Sequence, residues 1–175
     1  MLFSHRFVLG LFAAAPLFFL AAPAVQAQEA ALRIEGIGDA PTTLTLADLR
    51  GMKRQAVEDK RAPRNGKGPE TVVHYGGVLL ADVLDRAGFN KLDPHMKRRA
   101  AVFAIASDNY EVAYSWGEIY NSAAGAHIVV LDEREGKPQD AAEGPLGLAA
   151  FDDRNPGPRH VKRLLVLRVM QGAKP

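Results

Sequence analysis

The segment NPGPRHVKRLLVLRV, Asn155 to Val169, places Arg159, His160, Lys162 and Arg163 directly ahead of the apolar run Leu164 to Leu167. A guanidinium, an imidazole and an ammonium in that density, behind a Pro-Gly-Pro turn with exposed amides, have the chemistry to ring a phosphate. In an extended chain His160 and Lys162 would face one way and Arg159 and Arg163 the other. The alternative for the same pattern is a charged strand end whose cations are solvated.

A second group precedes it. Tyr110, Val112, Tyr114 and Trp116 alternate with Glu111, Ala113 and Ser115, which puts the aromatic rings on one face of a strand. Such a stripe is either ordinary half-buried packing or a stacking wall for a flat heterocycle. Asp108 and Asn109 stand just ahead of it. A carboxylate and an amide there suit the edge of an aminopyrimidine ring, and equally suit a turn between two strands.

Other chemistry is thinly represented. The chain of 175 residues has no cysteine, which removes thiolate nucleophiles, thiolate metal ligands and iron–sulfur clusters. His74, His95, His127 and His160 are not spaced as metal ligands, and no nucleophile-elbow, phosphate-loop or dinucleotide fingerprint occurs. With 22 basic against 20 acidic residues, there is no nucleic-acid footprint.

The elements that must position these residues are short. Residues 1–27 have a basic start at Arg6, an apolar stretch from Phe7 to about Ala22, and small residues Val25 and Ala27. That pattern predicts a secretory signal peptide cleaved after Ala27, leaving residues 28–175 as one domain that is not embedded in a membrane. Along that domain the pattern predicts a strand over Ala31 to Gly36 and a short helix opened by a Thr45/Asp48 capping box. An exposed loop over Lys60 to Pro69 and a strand over Glu70 to Tyr75 follow. The stretch from Gly76 reads as a helix closed by Gly88. Strands over Ala100 to Ser107, Asn109 to Trp116 and His127 to Pro138, and a last strand from Arg159, complete the reading. Strands outweigh helices, so the fold class is α+β with a mixed or antiparallel core.

Taken together, YGGVLLADVLDRAG, SDNYEVAYSW, DEREGKPQDAAEGPLGLAAF and RHVKRLLVLRV resemble, in order and spacing, the sulfite-oxidase-like molybdopterin-dependent oxidoreductase domain, over about Leu44 to Val169. The R-H-V-K segment is its most specific part. The resemblance implies mixed sheets with short helices, and implies that Arg159, His160 and Lys162 meet the phosphate end of a pterin. Tyr110 and Trp116 would flank its ring, and Asp108 and Asn109 would read its edge. Enzymes of that family hold molybdenum through a cysteine between the first short helix and the YGGV segment, and the matching interval, Lys53 to His74, has none. The start SHRFVLG also looks like a twin-arginine signal in which His5 replaces the first arginine, which implies export of an unfolded, unloaded chain.

The resemblance is therefore to the small, cysteine-free secreted members, some of which bind reduced pterins in the periplasm and regulate a membrane-bound cyclic-di-GMP enzyme. It implies a non-catalytic pterin-binding sensor without a metal. A molybdopterin oxidoreductase with a non-cysteine ligand and a ligand-free accessory domain are the alternatives.

Overall fold

The computed structural model describes residues 31–63, 67–155 and 157–172; the signal-peptide reading of residues 1–27 lies outside them. The described residues form two five-stranded sheets joined by short helices. The first sheet contains β1 (Ala31–Glu35), β2 (Thr42–Thr45), β5 (Ala101–Ala106), β6 (Glu111–Ser115) and β10 (Leu164–Met170), in the order β2-β1-β10-β5-β6. Only β1 and β10 run parallel in it, so the sheet is mixed. The second contains β3 (Arg54–Arg61), β4 (Thr71–Leu79), β7 (Ile128–Arg134), β8 (Lys137–Pro138) and β9 (Gly147–Ala150). Its order is β3-β4-β7-β8, with β9 also paired to β7.

Local chemistry explains most boundaries. Helix α1 (Leu46–Arg50) begins at Thr45, whose hydroxyl accepts from the Asp48 amide while the Asp48 carboxylate accepts from the Thr45 amide. That is the capping box read from the sequence. Helix α2 (Leu80–Arg86) buries Leu80, Val83 and Leu84 on one stripe. The hairpin joining β7 to β8 turns at Glu135 and Gly136, both at positive φ of 52° and 70°, as a two-residue turn between twisted strands requires.

Alternation divides the second sheet into two faces. Ile128 and Val130 join the main core with Leu32, Ile34, Val102, Leu148, Leu167 and Val169. Val129 and Leu131 join a smaller cluster with Tyr75 and Ala149, fringed by Val57, Val73, Leu79 and Phe151. Each large aliphatic side chain buried in the main core contributes about 1.5–3 kcal/mol.

Several expectations are corrected. Gly76 to Leu79 extend β4, pairing with β7, and α2 starts only at Leu80. Lys60 and Arg61 end β3, where they pair with Val72 and Thr71, and do not start a loop. Trp116 is the first residue of α4 (Trp116–Tyr120), because Ser115 and Glu118 form a second capping box that stops β6. Residues Gly157–Arg159 form a 3-10 turn, and the final strand begins at Leu164, after Arg163 takes a positive φ of 50°. The strand Gly147–Ala150 was not anticipated.

Candidate functional site

Polar side chains gather on the second face of the β3-β4-β7 sheet, under the loops that carry residues 139–146 and 157–163. A bulge brings them together. Gly76 pairs with Glu133 and Gly77 with Leu131, so Asp132 is an extra residue in β7. The bulge aims Arg134 over the Tyr75 ring, its guanidinium 5.9 Å from the centroid. Gly77 is required there because a Cβ would sit 2.1 Å from the Val130 carbonyl oxygen.

From β3 the buried Asp59 pairs with Arg61, which also donates to the Tyr75 hydroxyl at 3.3 Å. Burial pushes the Tyr75 phenol above its ordinary range. Gln139 is buried and donates through Nε2 to the Leu131 carbonyl at 2.9 Å.

The 157–163 segment is pinned by its backbone. Val161 exchanges two hydrogen bonds with Leu148 of β9, each 2.8 Å, and Arg163 N–H donates to the Glu143 carbonyl at 2.7 Å. Gly144 packs against Arg163 at a φ of 76°, where a Cβ would come 2.6 Å from Arg163 Cγ. From this frame His160 and Lys162 both reach Glu143. Lys162 Nζ lies 2.7 Å from Glu143 Oε1, and His160 Nε2 lies 3.7 Å from Glu143 Oε2. Their side chains are 8% and 9% exposed in the His160–Glu143 pair, and neither His160 Nε2 nor Glu143 Oε2 makes a hydrogen bond within the protein. Burial lowers the His160 pKa, opposed by the Glu143 charge and assisted by Arg61 and Lys162.

The remaining cations of the segment face the other way. Arg159 grips Asp153 with two hydrogen bonds, 2.6 and 2.7 Å, and Glu118 with a third at 2.6 Å. The Asp153 bonds above all raise its pKa. Burial alone would raise the Glu118 carboxyl, but hydrogen bonds from the Ser115 amide and Arg159 outweigh it and hold the group low. Arg163 pairs with Asp108 at 2.7 Å. The Tyr110 amide, and then Arg163, keep Asp108 below its ordinary range.

The residues singled out from sequence thus fall into three places. His160 and Lys162 share Glu143. Arg159 lies with Asp153, Glu118 and Tyr114, while Asp108, Asn109 and Tyr110 form the turn beside it. Asn109 takes a φ of 66°, and the Tyr110 hydroxyl donates to the Pro158 carbonyl. Trp116 turns away on α4 and stacks on Tyr120 with centroids 6.3 Å apart. The structure therefore does not gather Trp116 with Arg159, His160 and Lys162 around one ring-sized space. Asp59, Arg61, Tyr75, Arg134, Gln139 and Glu143 were not foreseen. The one available signal was DEREGKPQDAAEGPLG, a charged stretch leading directly into an apolar one.

No protein-family model matches the chain, and no curated protein matches it. Among solved structures, the chain is similar to the sulfane dehydrogenase SoxCD from Paracoccus pantotrophus, with a TM-score of 0.61 at 18% identity over 80% of this chain. The match covers 38% of the SoxCD chain, so this chain spans well under half the length of that protein. Likeness at that identity carries the fold alone: an α+β domain of the sulfite-oxidase-like kind, with mixed sheets and short helices.

Proposed function

We propose that the chain is a non-catalytic pterin-binding protein, exported to the periplasm, that acts as a sensor for a membrane signalling enzyme. The observation that carries the ligand is the pair Glu143 Oε2 and His160 Nε2, 3.7 Å apart, buried and without hydrogen-bond partners in the protein. Buried polar atoms left this way are costly, by about 1–3 kcal/mol each. One ligand group that both donates and accepts meets the two at once. The amino-lactam edge of a pterin has such groups. Glu143 would take its N–H donors, neutral His160 the adjoining ring atom, and Arg61, Arg134 and Lys162 an anionic tail.

The donor set does not fit the metal that accompanies a pterin in the family the sequence resembles. The interval Lys53 to His74 supplies Asp59 and Arg61 where that family has a thiolate, and the chain has no cysteine. Among the described residues no group of three or more His, Asp or Glu side chains is placed to hold a metal ion. No redox step is derived. The N-terminal pattern supports export, and among the described residues no helix is long and apolar enough to cross a membrane. The proposed partner, the periplasmic domain of a cyclic-di-GMP enzyme, rests on resemblance to the small secreted members.

Calorimetric titration with a tetrahydropterin tests the reading. A dissociation constant in the micromolar range, about −8 kcal/mol, weakened at least tenfold by Glu143→Gln, supports it. Absence of binding, or equal binding by the variant, overturns it, as would stoichiometric molybdenum in protein taken from its native periplasm. A ligand-free accessory role is the second reading. It is favoured by Arg159, Lys162 and Arg163 each being paired to a carboxylate, so an incoming anion must compete. The same titration separates the two.

A further inference from the structure

A different face of the molecule carries an inference that does not depend on the pterin reading. Phe89, Tyr120 and Trp116 stack in sequence: Phe89 and Tyr120 have centroids 5.4 Å apart and planes inclined by 10°, and Tyr120 and Trp116 have planes inclined by 19°. Phe89 is buried, whereas Tyr120 and Trp116 are half-buried and present their rings to a cavity of about 340 Å³. Asp85, Asn90 and Lys97 line the rest of it. The Tyr120 hydroxyl is occupied by Asp85 Oδ1 at 2.9 Å and the Ala81 carbonyl at 3.2 Å, so that ring is fixed in place. Lys97 is likewise held, donating to the Asn90 carbonyl at 2.9 Å.

A second, more open cavity shares Asp85 and Asn90 as a common wall and continues past Met52, Lys53, Asp82, Arg86 and Lys91. Lys53, Arg86 and Lys91 are exposed, and none of them forms an ion pair among the described residues; Arg86 acts only through space, on Asp48. This is the reverse of the 157–163 segment, where Arg159, Lys162 and Arg163 have carboxylate partners. The groove has a rigid aromatic wall at one end and uncompensated cations at the other. Its enclosed end has the volume of a small-molecule site.

We infer that this groove is a ligand site for a planar aromatic molecule bearing an anionic group. The ring would lie against Trp116 and Tyr120, where stacking on an aromatic wall contributes, and the anion would reach Lys53, Arg86 and Lys91 through charge-assisted contacts. Neither end suffices alone: exposed lysines hold free anions poorly, because screening is strong at the surface.

The test uses the single tryptophan of the chain as reporter. The ¹⁵N–¹H indole resonance of Trp116 is followed while the protein is titrated with 1-naphthyl phosphate, 1-naphthalenemethanol or inorganic phosphate. The expected result is a saturable shift with 1-naphthyl phosphate, and binding at least tenfold weaker for each of the other two. The Lys53→Ala/Lys91→Ala double variant, with its fold checked by circular dichroism, should lose about tenfold in affinity for the phosphate ester and none for the alcohol. Glu143→Gln should leave the titration unchanged, which separates this site from the pterin reading. No saturable shift, equal affinity for the alcohol, or an unaffected double variant overturns the inference.

Discussion

Tyr114 and Arg159 hold one another twice. The Tyr114 hydroxyl donates to the Arg159 carbonyl at 3.0 Å, and the Arg159 guanidinium lies 4.8 Å above the centroid of the Tyr114 ring. The ring is fully buried, and that burial raises its phenol pKa far above the ordinary value. A tyrosine rooted in β6 therefore fastens both the backbone and the side chain of the segment that leads to His160.

Arg159→Ala should lower stability by about 2–3 kcal/mol, because Asp153 and Glu118 lose the partner that neutralises them in a partly buried position. Arg159→Lys should recover less than half of the loss, since an ammonium cannot grip Asp153 with a fork. Urea unfolding of the three proteins measures both. An alanine variant as stable as the parent would show that the clamp is ornamental.

His160 gives the fold a pH dependence of known sign. Its pKa is lowered from 6.5 by burial, so the unfolded chain binds a proton near pH 6.5 that the folded chain resists. Stability from this group is complete above that pH and declines as pH falls below it, by at most about 1.4 kcal/mol per pH unit. Urea midpoints between pH 8 and 5 should show a fall in the parent that is shallower in His160→Gln. Parallel curves for the two proteins would contradict this.

Glu143 raises the His160 pKa through its charge, against the larger effect of burial. Glu143→Gln should accordingly move the titration midpoint of the His160 Cε1 proton, followed by NMR, to still lower pH. An upward or absent shift would mean that the two side chains are not neighbours in solution.

Gly77→Ala should cost about 3 kcal/mol, at the upper end for overpacking, because the added methyl meets the Val130 carbonyl oxygen at 2.1 Å. The bulge at Asp132 would have to move, and with it Arg134 over Tyr75. Thermal unfolding and the Tyr75 ring resonances should report both changes together.

Where local signals agreed, the fold was legible. Thr45 and Asp48 marked α1, and the apolar runs of β5 and β7 marked strands. Reading failed where two signals competed. The alternation through Tyr110, Val112 and Tyr114 carried past Ser115, although Ser115 and Glu118 have the same capping chemistry that identified α1. In β9 all four residues are buried, so no alternation was there to see, and the charged end of β3 looked like a loop. The polar centre was hidden for another reason. Asp59, Tyr75, Glu143 and His160 are far apart in sequence, and a carboxylate destined for burial looks like any other until an extra residue in β7 sets the face it meets.

The order β2-β1-β10-β5-β6 also dictates when this molecule can come into being. Leu164–Met170, the last strand to leave the ribosome among those described, is the slat between β1 and β5, and without it those two strands have no common neighbour. Synthesis alone therefore cannot produce half a first sheet that waits for the rest, and a ribosome-bound chain stopped before Leu164 should remain as sensitive to protease as an unstructured polypeptide.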